Sequence, residues 1–271
     1  WKLGGLIPYG TIELSPAAGV LNYGQGCFEG TKAYRTIKNQ VVLFRPEMNA
    51  KRMAMSTRRL CIPEMNKEFF LQAVEETLID NIDYVPPYGK GSLYIRPIVW
   101  GTSPALGVKP VEEYTFMVFV SPVGPYFKGG VKPLRLTVSN DYHRAAPKGI
   151  GNAKAIGNYS ASLYPLTEAK NRDFDEVIFL NAKDEKFVEE VGSANLFVLT
   201  GNTIKTPKLD GSILPGITRD SVITLAKDTI GLEVLETNVT LTELYDADEV
   251  FCTGTAVVVT PVGSITGLDG K

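Results

Sequence analysis

One lysine lies within a segment of small residues, positions 149–159, which reads Gly-Ile-Gly-Asn-Ala-Lys-Ala-Ile-Gly-Asn-Tyr. Small side chains let a flat ligand approach the backbone closely. A partly buried, apolar environment disfavours the charged form of a lysine, so Lys154 has the properties of an amine nucleophile or a base. A solvent-exposed loop lysine is the alternative interpretation, and this segment alone does not decide between the two.

Two adjacent carboxylates, Glu189 and Glu190, lie in the strand-like run 187–191. Successive side chains of a strand point to opposite faces, so we expect one carboxylate to point inward and the other outward. An inward carboxylate needs a cation or hydrogen-bond donors, and a protonated pyridine nitrogen is one such partner. The alternative interpretation is a pair of edge-strand carboxylates in water.

Two further segments have the properties of anion sites. Residues 213–220, Ile-Leu-Pro-Gly-Ile-Thr-Arg-Asp, open a predicted helix whose first N–H groups and dipole suit a phosphate. Gly216 keeps the backbone accessible there, although an ordinary helix start explains the segment equally well by itself. Residues 251–261 predict a strand that ends in a turn of small residues, whose hydroxyl and N–H groups could hold an anion.

The small numbers of histidine and cysteine residues exclude several kinds of catalytic site. His143 is the single histidine, and the three cysteines, Cys27, Cys61 and Cys252, form no CxxC pair. A His/Cys zinc site therefore has too few ligands, and no GxSxG motif indicates a serine hydrolase. We therefore expect a lysine, a tyrosine or a carboxylate to act in any general acid–base catalysis. Few, widely separated cysteines also disfavour a disulfide framework and favour a reducing compartment.

Composition and charge exclude other classes of protein. The 271 residues are 44% hydrophobic and 21% charged, with a formal net charge of -2. Without a basic field, binding to nucleic acid or to an anionic membrane surface is disfavoured. The longest apolar runs, such as 116–120 and 256–259, are too short to span a bilayer.

The elements predicted around these segments describe an α+β protein of two domains. Strands are predicted at 12–14, 32–35, 41–44, 93–100, 114–120, 134–138, 176–180, 187–191, 195–199 and 249–252. Helices are predicted at 46–60, after Asn66 as N-cap, at 159–170 with a kink at Pro165, at 216–230 before Gly231, and near Thr242. No GxGxxG motif opens a βαβ unit, which disfavours a Rossmann domain.

The Pro- and Gly-rich run 121–133 is the predicted interdomain connection. It would separate a small N-terminal α/β domain, residues 1–120, from a larger domain, residues 134–271. The lysine, both carboxylates and both anion segments fall in the larger domain of this division.

Taken in order, the segments resemble fold-type-IV pyridoxal-phosphate enzymes, and among them the branched-chain aminotransferases, over about residues 8–263. The shared motifs are Tyr23-Gly-Gln-Gly-Cys-Phe-Glu-Gly30, Leu43-Phe-Arg-Pro46 with Asn49 and Arg52, Leu93-Tyr-Ile-Arg-Pro97, Lys154 with Gly157-Asn-Tyr159, Glu190-Val-Gly with Asn195, Leu214-Pro-Gly-Ile-Thr-Arg219 and Thr253-Gly-Thr-Ala256. The resemblance implies an active site at the interface of two domains, with residues 134–271 binding pyridoxal 5'-phosphate.

The resemblance also implies residue roles. Lys154 would form a Schiff base with the cofactor and move the substrate proton, Tyr159 would bind the phenolic oxygen, and Glu190 would keep the ring nitrogen protonated. The other implied cofactor contacts are Arg52, Ser193, Asn195, Leu214, Gly216, Ile217, Thr218 and Thr255. The implied substrate contacts are Tyr23, Phe28, Gly30, Tyr94, Arg96, Tyr126, Thr255 and Ala256. Arg96 would reach the distal carboxylate of glutamate.

The implied reaction is transamination of L-leucine, L-isoleucine and L-valine with 2-oxoglutarate, which yields branched-chain 2-oxo acids and L-glutamate in ping-pong half-reactions. A homodimer or larger oligomer is implied, because family members complete the site with a loop from a neighbouring subunit. We expect an intracellular location, cytoplasmic by default. Because the sequence starts at Trp1 without methionine, we expect it to be trimmed at both ends, and a mitochondrial or plastid location stays open.

Other interpretations share most of these residues. A D-amino acid aminotransferase or an aminodeoxychorismate lyase would keep Lys154, Glu190 and the phosphate segment, while the motifs at 23–30 and 93–97 favour the branched-chain interpretation. A catalytically silent cofactor-binding or scaffold protein is disfavoured by the intact lysine, glutamate and tyrosine. The redox CxxC pair of some animal members is replaced here by Val257 and Thr260.

Overall fold

The computed structural model describes residues 1–2, 4–124 and 132–267, which divide between two units. The first unit comprises Trp1–Lys128 with Ala153–Ile156, and the second comprises Gly129–Asn152 with Gly157–Lys271. Both units combine helices with a sheet, which confirms the α+β fold class. The boundaries drawn at 121–133 from the sequence stay a prediction.

Antiparallel pairing around one central strand organises the first unit. Its strands are β1 (Gly26–Phe28), β2 (Thr31–Arg35), β3 (Val41–Leu43), β4 (Ser92–Gly101) and β5 (Tyr114–Val123). Its helices are α1 (Gly19–Tyr23), α2 (Pro46–Arg59) and α3 (Lys67–Asp80), followed by a 3₁₀ turn, Ile82–Tyr84. Strand β4 pairs with β1 and β2 on one side and with β5 on the other, and β3 pairs with β2.

Apolar side chains from α2, α3 and the sheet form the core of this unit. Met53, Phe70 and Val74 on the helices are buried together with Leu93 and Ile95 on β4. Helix α3 begins where predicted, because the Asn66 side chain accepts a hydrogen bond of 2.7 Å from Phe69 N. Side chains that point away from this core, at alternate positions of β4, remain available for a site.

Three features of this unit differ from the prediction. Residues 12–14 form no strand, because no described strand supplies the hydrogen-bonded partner that an alternating apolar pattern requires. Helix α1 and strand β1 were not predicted, since the glycines at 24 and 26 indicate a turn when the sequence is read locally. Strand β5 also continues to Val123, into the run that was predicted to be a connection.

The second unit is built on a sheet that closes on itself. Its strands are β6 (Leu134–Val138), β7 (Glu176–Leu180), β8 (Val188–Val191), β9 (Ala194–Thr200), β10 (Thr203–Pro207), β11 (Glu233–Thr237), β12 (Glu249–Gly254) and β13 (Val258–Thr266). They pair in the order β11-β10-β9-β12-β13-β6-β7-β8. Because β8 also pairs with β9, the strands from β9 round to β8 form a barrel.

Helices surround this sheet and bury its apolar side chains. They are α4 (Ile156–Ala161), α5 (Leu163–Asn171), α6 (Ile217–Leu225), which continues as a π-helical turn (Ala226–Ile230), and α7 (Leu241–Tyr245). The core of the barrel includes Leu136, Ile178, Val191, Leu196 and Cys252. Strands with so many buried positions read as short apolar runs, which is why most were predictable.

The predicted kink at Pro165 is wrong. Helices α4 and α5 are separate and meet at Ser162, so Pro165 is the third residue of α5. The first turn of a helix has no intrahelical acceptors for its N–H groups, so a proline is tolerated there without bending the helix. Strands β10, β11 and β13 were not predicted, and β13 contains Pro261 and Gly263, which obscure its pattern.

Candidate active site

The backbone of Lys154 is anchored from two sides within the first unit. Phe28 N donates to the Lys154 carbonyl over 3.1 Å, and Lys154 N donates to Ser56 Oγ on α2 over 2.9 Å. Cys27 and Ala155 form a further antiparallel bridge. Lys154 is half-buried, with its amine 4.9 Å from the centre of the Phe28 ring. It is therefore a positioned lysine and not a solvent-exposed loop residue.

The guanidinium of Arg96 approaches the same phenylalanine ring. The guanidinium carbon of Arg96 lies 4.5 Å from the centre of the Phe28 ring, and Arg96 Nη2 donates to the Tyr94 hydroxyl over 2.9 Å. Tyr94 and Arg96 point to one face because they are two residues apart on β4. A Cβ atom at position 30 would lie 2.1 Å from the Tyr94 hydroxyl oxygen, so that position requires glycine. We call Phe28, Gly30, Tyr94, Arg96 and Lys154 the Phe28 cluster.

One hydrogen-bond donor of the Phe28 cluster is left for a ligand. Among the described residues, Arg96 Nε is buried and has no hydrogen-bond partner. A buried guanidinium N–H without an acceptor is costly, and a carboxylate is the ligand that satisfies it best. The cluster therefore suits a ligand that carries a carboxylate beside an apolar or aromatic portion.

One predicted substrate residue, Tyr23, is not part of these contacts. Tyr23 ends helix α1 and is partly exposed, and its hydroxyl donates to the carbonyl of Leu106. Tyr126 lies outside the described residues. Of the predicted substrate contacts, Phe28, Gly30 and Tyr94 therefore lie in the Phe28 cluster together with Arg96.

A buried ion pair was missed in the sequence. Glu29 is fully buried and meets Arg52 through two contacts, Oε1 to Nε at 2.7 Å and Oε2 to Nη2 at 2.8 Å. Asn49 Nδ2 donates to Glu29 Oε2 over 2.7 Å and to the Gly30 carbonyl over 3.2 Å. Arg52, predicted to hold a phosphate, is thus also the bidentate partner of a carboxylate. The signal was present in the sequence, because Glu29 belongs to the motif that ends at Gly30.

We expect replacement of Glu29 by alanine to lower the free energy of unfolding by about 3–5 kcal/mol, because it leaves the Arg52 guanidinium buried without its carboxylate. Chemical denaturation followed by circular dichroism measures the loss. The matched control is Glu64→Ala, which removes the partner of Arg58 from an exposed ion pair. Such pairs contribute little, so equal losses in the two variants would show that the Glu29 pair does not stabilise the fold.

In the second unit, Glu190 lies at the centre of a polar network. Arg144 Nη1 lies 2.5 Å from Glu190 Oε2 and has no partner in hydrogen-bond geometry among the described residues, so the contact is an ion pair. Asn195 Nδ2 donates to Glu190 Oε1 over 3.2 Å, and Leu214 N donates to Oε2 over 3.3 Å. A buried carboxylate with a cation and two N–H donors favours its ionised form.

Arg144 was not singled out from the sequence. It is buried, and it lies in the loop rich in small residues that precedes Lys154. The available signal was indirect: an inward carboxylate on β8 needs a cation, and position 144 offers one shortly before the lysine segment 149–159. Periodicity alone does not indicate which cation meets which carboxylate.

The expectation that one of the two adjacent carboxylates faces water is wrong. Glu189 is 4% exposed and Glu190 is 2% exposed. They do point to opposite faces, since Glu189 Oε1 and Ser212 Oγ form a hydrogen bond of 2.5 Å whereas Glu190 meets Arg144. The second face of β8 is buried because the loop that contains Ser212 covers it.

The start of helix α6 offers a set of donors. Gly216 is its N-cap, and in the described part of the chain no side chain caps the helix, whose first residues are Ile217 and Thr218. A Cβ at position 216 would lie 2.0 Å from Asn195 Oδ1, so the glycine allows the helix start to lie against β9. Uncapped N–H groups at a helix start suit an anion.

A buried hydroxyl lies on the same side of the sheet. Thr253 on β12 is directly opposite Asn195, so the two side chains share a face. Thr253 is 1% exposed, and its Oγ1 has no hydrogen-bond partner among the described residues. This orphaned hydroxyl and the uncapped helix start form a donor set that fits a phosphate group.

The remaining predicted residues occupy turns and a helix. Ser193 is exposed in the turn between β8 and β9, and Thr255 with Ala256 forms part of the turn between β12 and β13. Tyr159 is half-buried in α4. None of the described residues form a group of three His, Cys, Asp or Glu side chains that could hold a metal ion. In the same residues, no helix has the length and apolar character needed to cross a membrane.

Comparison with known proteins agrees with this geometry. A model of the family described as amino-transferase class IV matches residues 26–265. The chain is 54% identical over 264 residues to the chloroplastic branched-chain-amino-acid aminotransferase 3 of Arabidopsis thaliana, covering 97% of this chain and 64% of that protein. It is 43% identical over 268 residues to an Arabidopsis thaliana methionine aminotransferase, covering 99% and 75%. The chain thus spans a little under two thirds of the first relative's length.

Solved structures show the same fold. The branched-chain aminotransferase of the thermophilic archaeon Thermoproteus uzoniensis, with norvaline, has a TM-score of 0.83 and 34% identity, covering 95% of this chain and 82% of that one. A second branched-chain amino acid aminotransferase, complexed with N-(5'-phosphopyridoxyl)-L-glutamate, has a TM-score of 0.84 and 36% identity, covering 96% and 82%. The chain belongs to the class IV aminotransferases, and among them to the branched-chain aminotransferases, whose cofactor is pyridoxal 5'-phosphate.

Proposed function

We propose that the protein transfers the amino group of L-leucine, L-isoleucine or L-valine to 2-oxoglutarate. The observation that carries this proposal is the Phe28 cluster, in which a lysine amine and an arginine guanidinium approach the same ring at 4.9 and 4.5 Å. An amine is needed to form and release the bond to the cofactor, and a cation is needed to accept a dicarboxylate substrate.

The donor sets of the structure suit the cofactor. When bound, pyridoxal phosphate withdraws electrons from the substrate Cα and so makes its proton acidic. We assign the bond to the cofactor to Lys154, the phenolic oxygen to Tyr159 and the ring nitrogen to Glu190. The phosphate and surrounding contacts are assigned to Arg52, Ser193, Asn195, Leu214, Gly216, Ile217, Thr218 and Thr255.

The chain's own residues then hold and move protons. Glu190, kept ionised by Arg144, would hold a proton on the ring nitrogen. Lys154 must be a neutral amine to accept the proton of the substrate Cα. The amine thereby serves as general base.

One pocket must accept two kinds of side chain in alternation. The rings of Phe28 and Tyr94 suit the branched aliphatic side chains of leucine, isoleucine and valine. They cannot pair the second carboxylate of glutamate, and burying it without a partner is prohibitive. Arg96, with its unpartnered Nε, supplies that partner. Tyr23, Gly30, Tyr126, Thr255 and Ala256 complete the proposed substrate contacts.

Arg96→Met is expected to damage the half-reaction with glutamate or 2-oxoglutarate far more than that with leucine. Loss of one partner of a buried charge pair costs about 2–5 kcal/mol, which is a factor of roughly 30 to several thousand. Single-turnover absorbance changes of the cofactor measure each half-reaction separately. Arg96→Lys is the control, since it keeps the charge and should recover part of the dicarboxylate reaction. Equal losses in both half-reactions would assign Arg96 a structural role.

A substrate panel tests the reaction as a whole. L-Leucine, L-methionine, D-alanine and aminodeoxychorismate are compared under one set of conditions, with 2-oxoglutarate present for the amino acids. Rapid turnover of L-leucine supports the proposal. L-Methionine is the second candidate substrate, because a relative that is 43% identical is named a methionine aminotransferase. Turnover of D-alanine or aminodeoxychorismate alone would refute the proposal.

Assembly and location are part of the same proposal. We propose a homodimer or larger homo-oligomer that acts on small amino acids and 2-oxo acids, and sedimentation of the active protein tests it, since a fully active monomer would contradict it. The similarity to a relative named chloroplastic makes a plastid a more specific proposal than the cytoplasm.

A further inference from the structure

The side chain of Ser212 lies between two carboxyl groups. Its Oγ is 2.5 Å from Glu189 Oε1 and 2.7 Å from Asp210 Oδ1, and Ser212 N donates to the same Asp210 oxygen over 3.1 Å. A hydroxyl has one proton to donate, so it can bond to only one ionised carboxylate. Two hydrogen bonds of these lengths therefore require a second proton, which one of the carboxyl groups must carry.

Burial identifies Glu189 as the group that carries this proton. Glu189 is 4% exposed whereas Asp210 is exposed to solvent, and ionisation is disfavoured most where water is excluded. Burial raises the pKa of Glu189, Asp210 raises it further, and Ser212, Arg144 and His143 act in the opposite direction. Lys208 lines the same small cavity as Glu189 and Asp210. The charge of Arg144 is engaged on the other face of β8, by Glu190.

The loop that contains Ser212, residues 210–215, touches the elements assigned to the cofactor in the second unit. Asn152 N donates to the Gly211 carbonyl over 3.2 Å, just before the lysine. A Cβ at position 151 would lie 2.0 Å from the Ser212 carbonyl oxygen, so the start of the lysine segment lies directly against this loop. Leu214 N donates to Glu190, and the loop then enters helix α6 at Gly216.

We propose that Glu189 is a positioning residue: as a neutral acid it donates to Ser212 Oγ, which donates to Asp210, and this hydrogen-bond chain fixes the 210–215 loop, whose Leu214 is among the proposed cofactor contacts. The effect on the cofactor rests on the proposed function, whereas the hydrogen-bond chain does not. Glu189 is thus neutral and supports the loop, whereas the adjacent Glu190 is ionised and paired with Arg144.

The test compares Glu189→Gln with Glu189→Ala in the cofactor-bound protein. The amide of Glu189→Gln still donates to Ser212, so amide hydrogen exchange at 211–214 and cofactor dissociation should stay within about twofold of the unaltered protein. Glu189→Ala removes the donor, and both rates should rise about tenfold, as expected for one lost buried hydrogen bond. Glu176→Gln, which alters a half-buried carboxyl on the neighbouring strand β7, is the matched control and should leave both rates unchanged.

The pH dependence supplies a second readout. In the closed loop Glu189 keeps its proton, whereas in the opened loop it ionises at the ordinary pKa of a glutamate. As the pH rises from the ordinary pKa of a glutamate towards the higher pKa of Glu189 in the closed loop, opening of the loop is favoured by up to about tenfold per pH unit. The protection of the loop amides from exchange therefore falls. Glu189→Gln has no proton to lose, and its protection should not vary with pH in this way.

The outcomes separate the two proposals. Equal loosening in Glu189→Gln and Glu189→Ala, or pH-independent protection in the unaltered protein, would overturn the hydrogen-bond chain. A loosened loop with unchanged cofactor dissociation would overturn its positioning role. If the protein bound no pyridoxal phosphate, the proposed function would fail, while exchange at 211–214 would still decide whether Glu189 holds the loop.

Discussion

Replacement of Lys154 by alanine is expected to reduce turnover by at least about 10²–10⁴-fold, the range that the loss of a positioned general base costs. The loss should exceed this range if the covalent bond to the cofactor also disappears. The physical reason is local, because the Lys154 amine lies 4.9 Å from the centre of the Phe28 ring, within the Phe28 cluster. Borohydride reduction followed by peptide mass spectrometry should place the pyridoxyl group on Lys154.

The control for this variant is Lys148→Ala, which removes an exposed lysine from the same loop. It should leave both turnover and labelling intact, since its side chain is not part of the Phe28 cluster. A pyridoxyl group found on a different lysine, in either protein, would end the assignment of Lys154. Unchanged turnover in Lys154→Ala would refute its role as the general base.

Replacement of Glu190 by glutamine is expected to lower turnover by about 10²–10³-fold, the range observed when a preorganised electrostatic contact is lost. Glutamine carries no charge with which to hold a proton on a pyridine nitrogen. It also leaves Arg144 buried without its carboxylate, at a contact of 2.5 Å in the unaltered protein. The absorbance spectrum of the bound cofactor, recorded together with turnover and with thermal unfolding, separates loss of the protonated ring from loss of the fold.

The neighbouring variant Glu189→Gln is the comparison that decides the orientation. It should cost only a few-fold in turnover, because an amide replaces a carboxyl group that is already neutral and hydrogen-bonded to Ser212. The two variants should differ in turnover because of what each glutamate contacts. A difference in exposure to water does not explain it, since both glutamates are buried. Equal losses in the two variants would refute the assignment of Glu190 to the ring nitrogen.

Local features of the sequence determined most of the regular elements. Helix α3 begins at Asn66 because a short polar side chain before an apolar run satisfies the free N–H groups of a helix start. The apolar run at 93–100 predicted the central strand of the first unit for a similarly local reason. The order of motifs also predicted the family, because each motif is a short stretch whose residues act together.

Predicted site residues lie together in the structure where neighbours in sequence are also neighbours in space. Tyr94 and Arg96 share a face through the two-residue period of a strand, and the structure joins them by a hydrogen bond of 2.9 Å. The same period separated the faces of Glu189 and Glu190 correctly. It did not reveal that both faces are buried, because burial depends on what a distant loop covers.

Only the tertiary structure decided the partners of the buried carboxyl groups. Glu29 meets Arg52, Glu190 meets Arg144, and Glu189 meets Ser212, and each pair joins residues far apart in the chain. A sequence pattern shows that a carboxylate points inward, since periodicity is a property of one element. Which cation or hydroxyl it meets depends on how loops and strands pack, and that packing is a property of the whole fold.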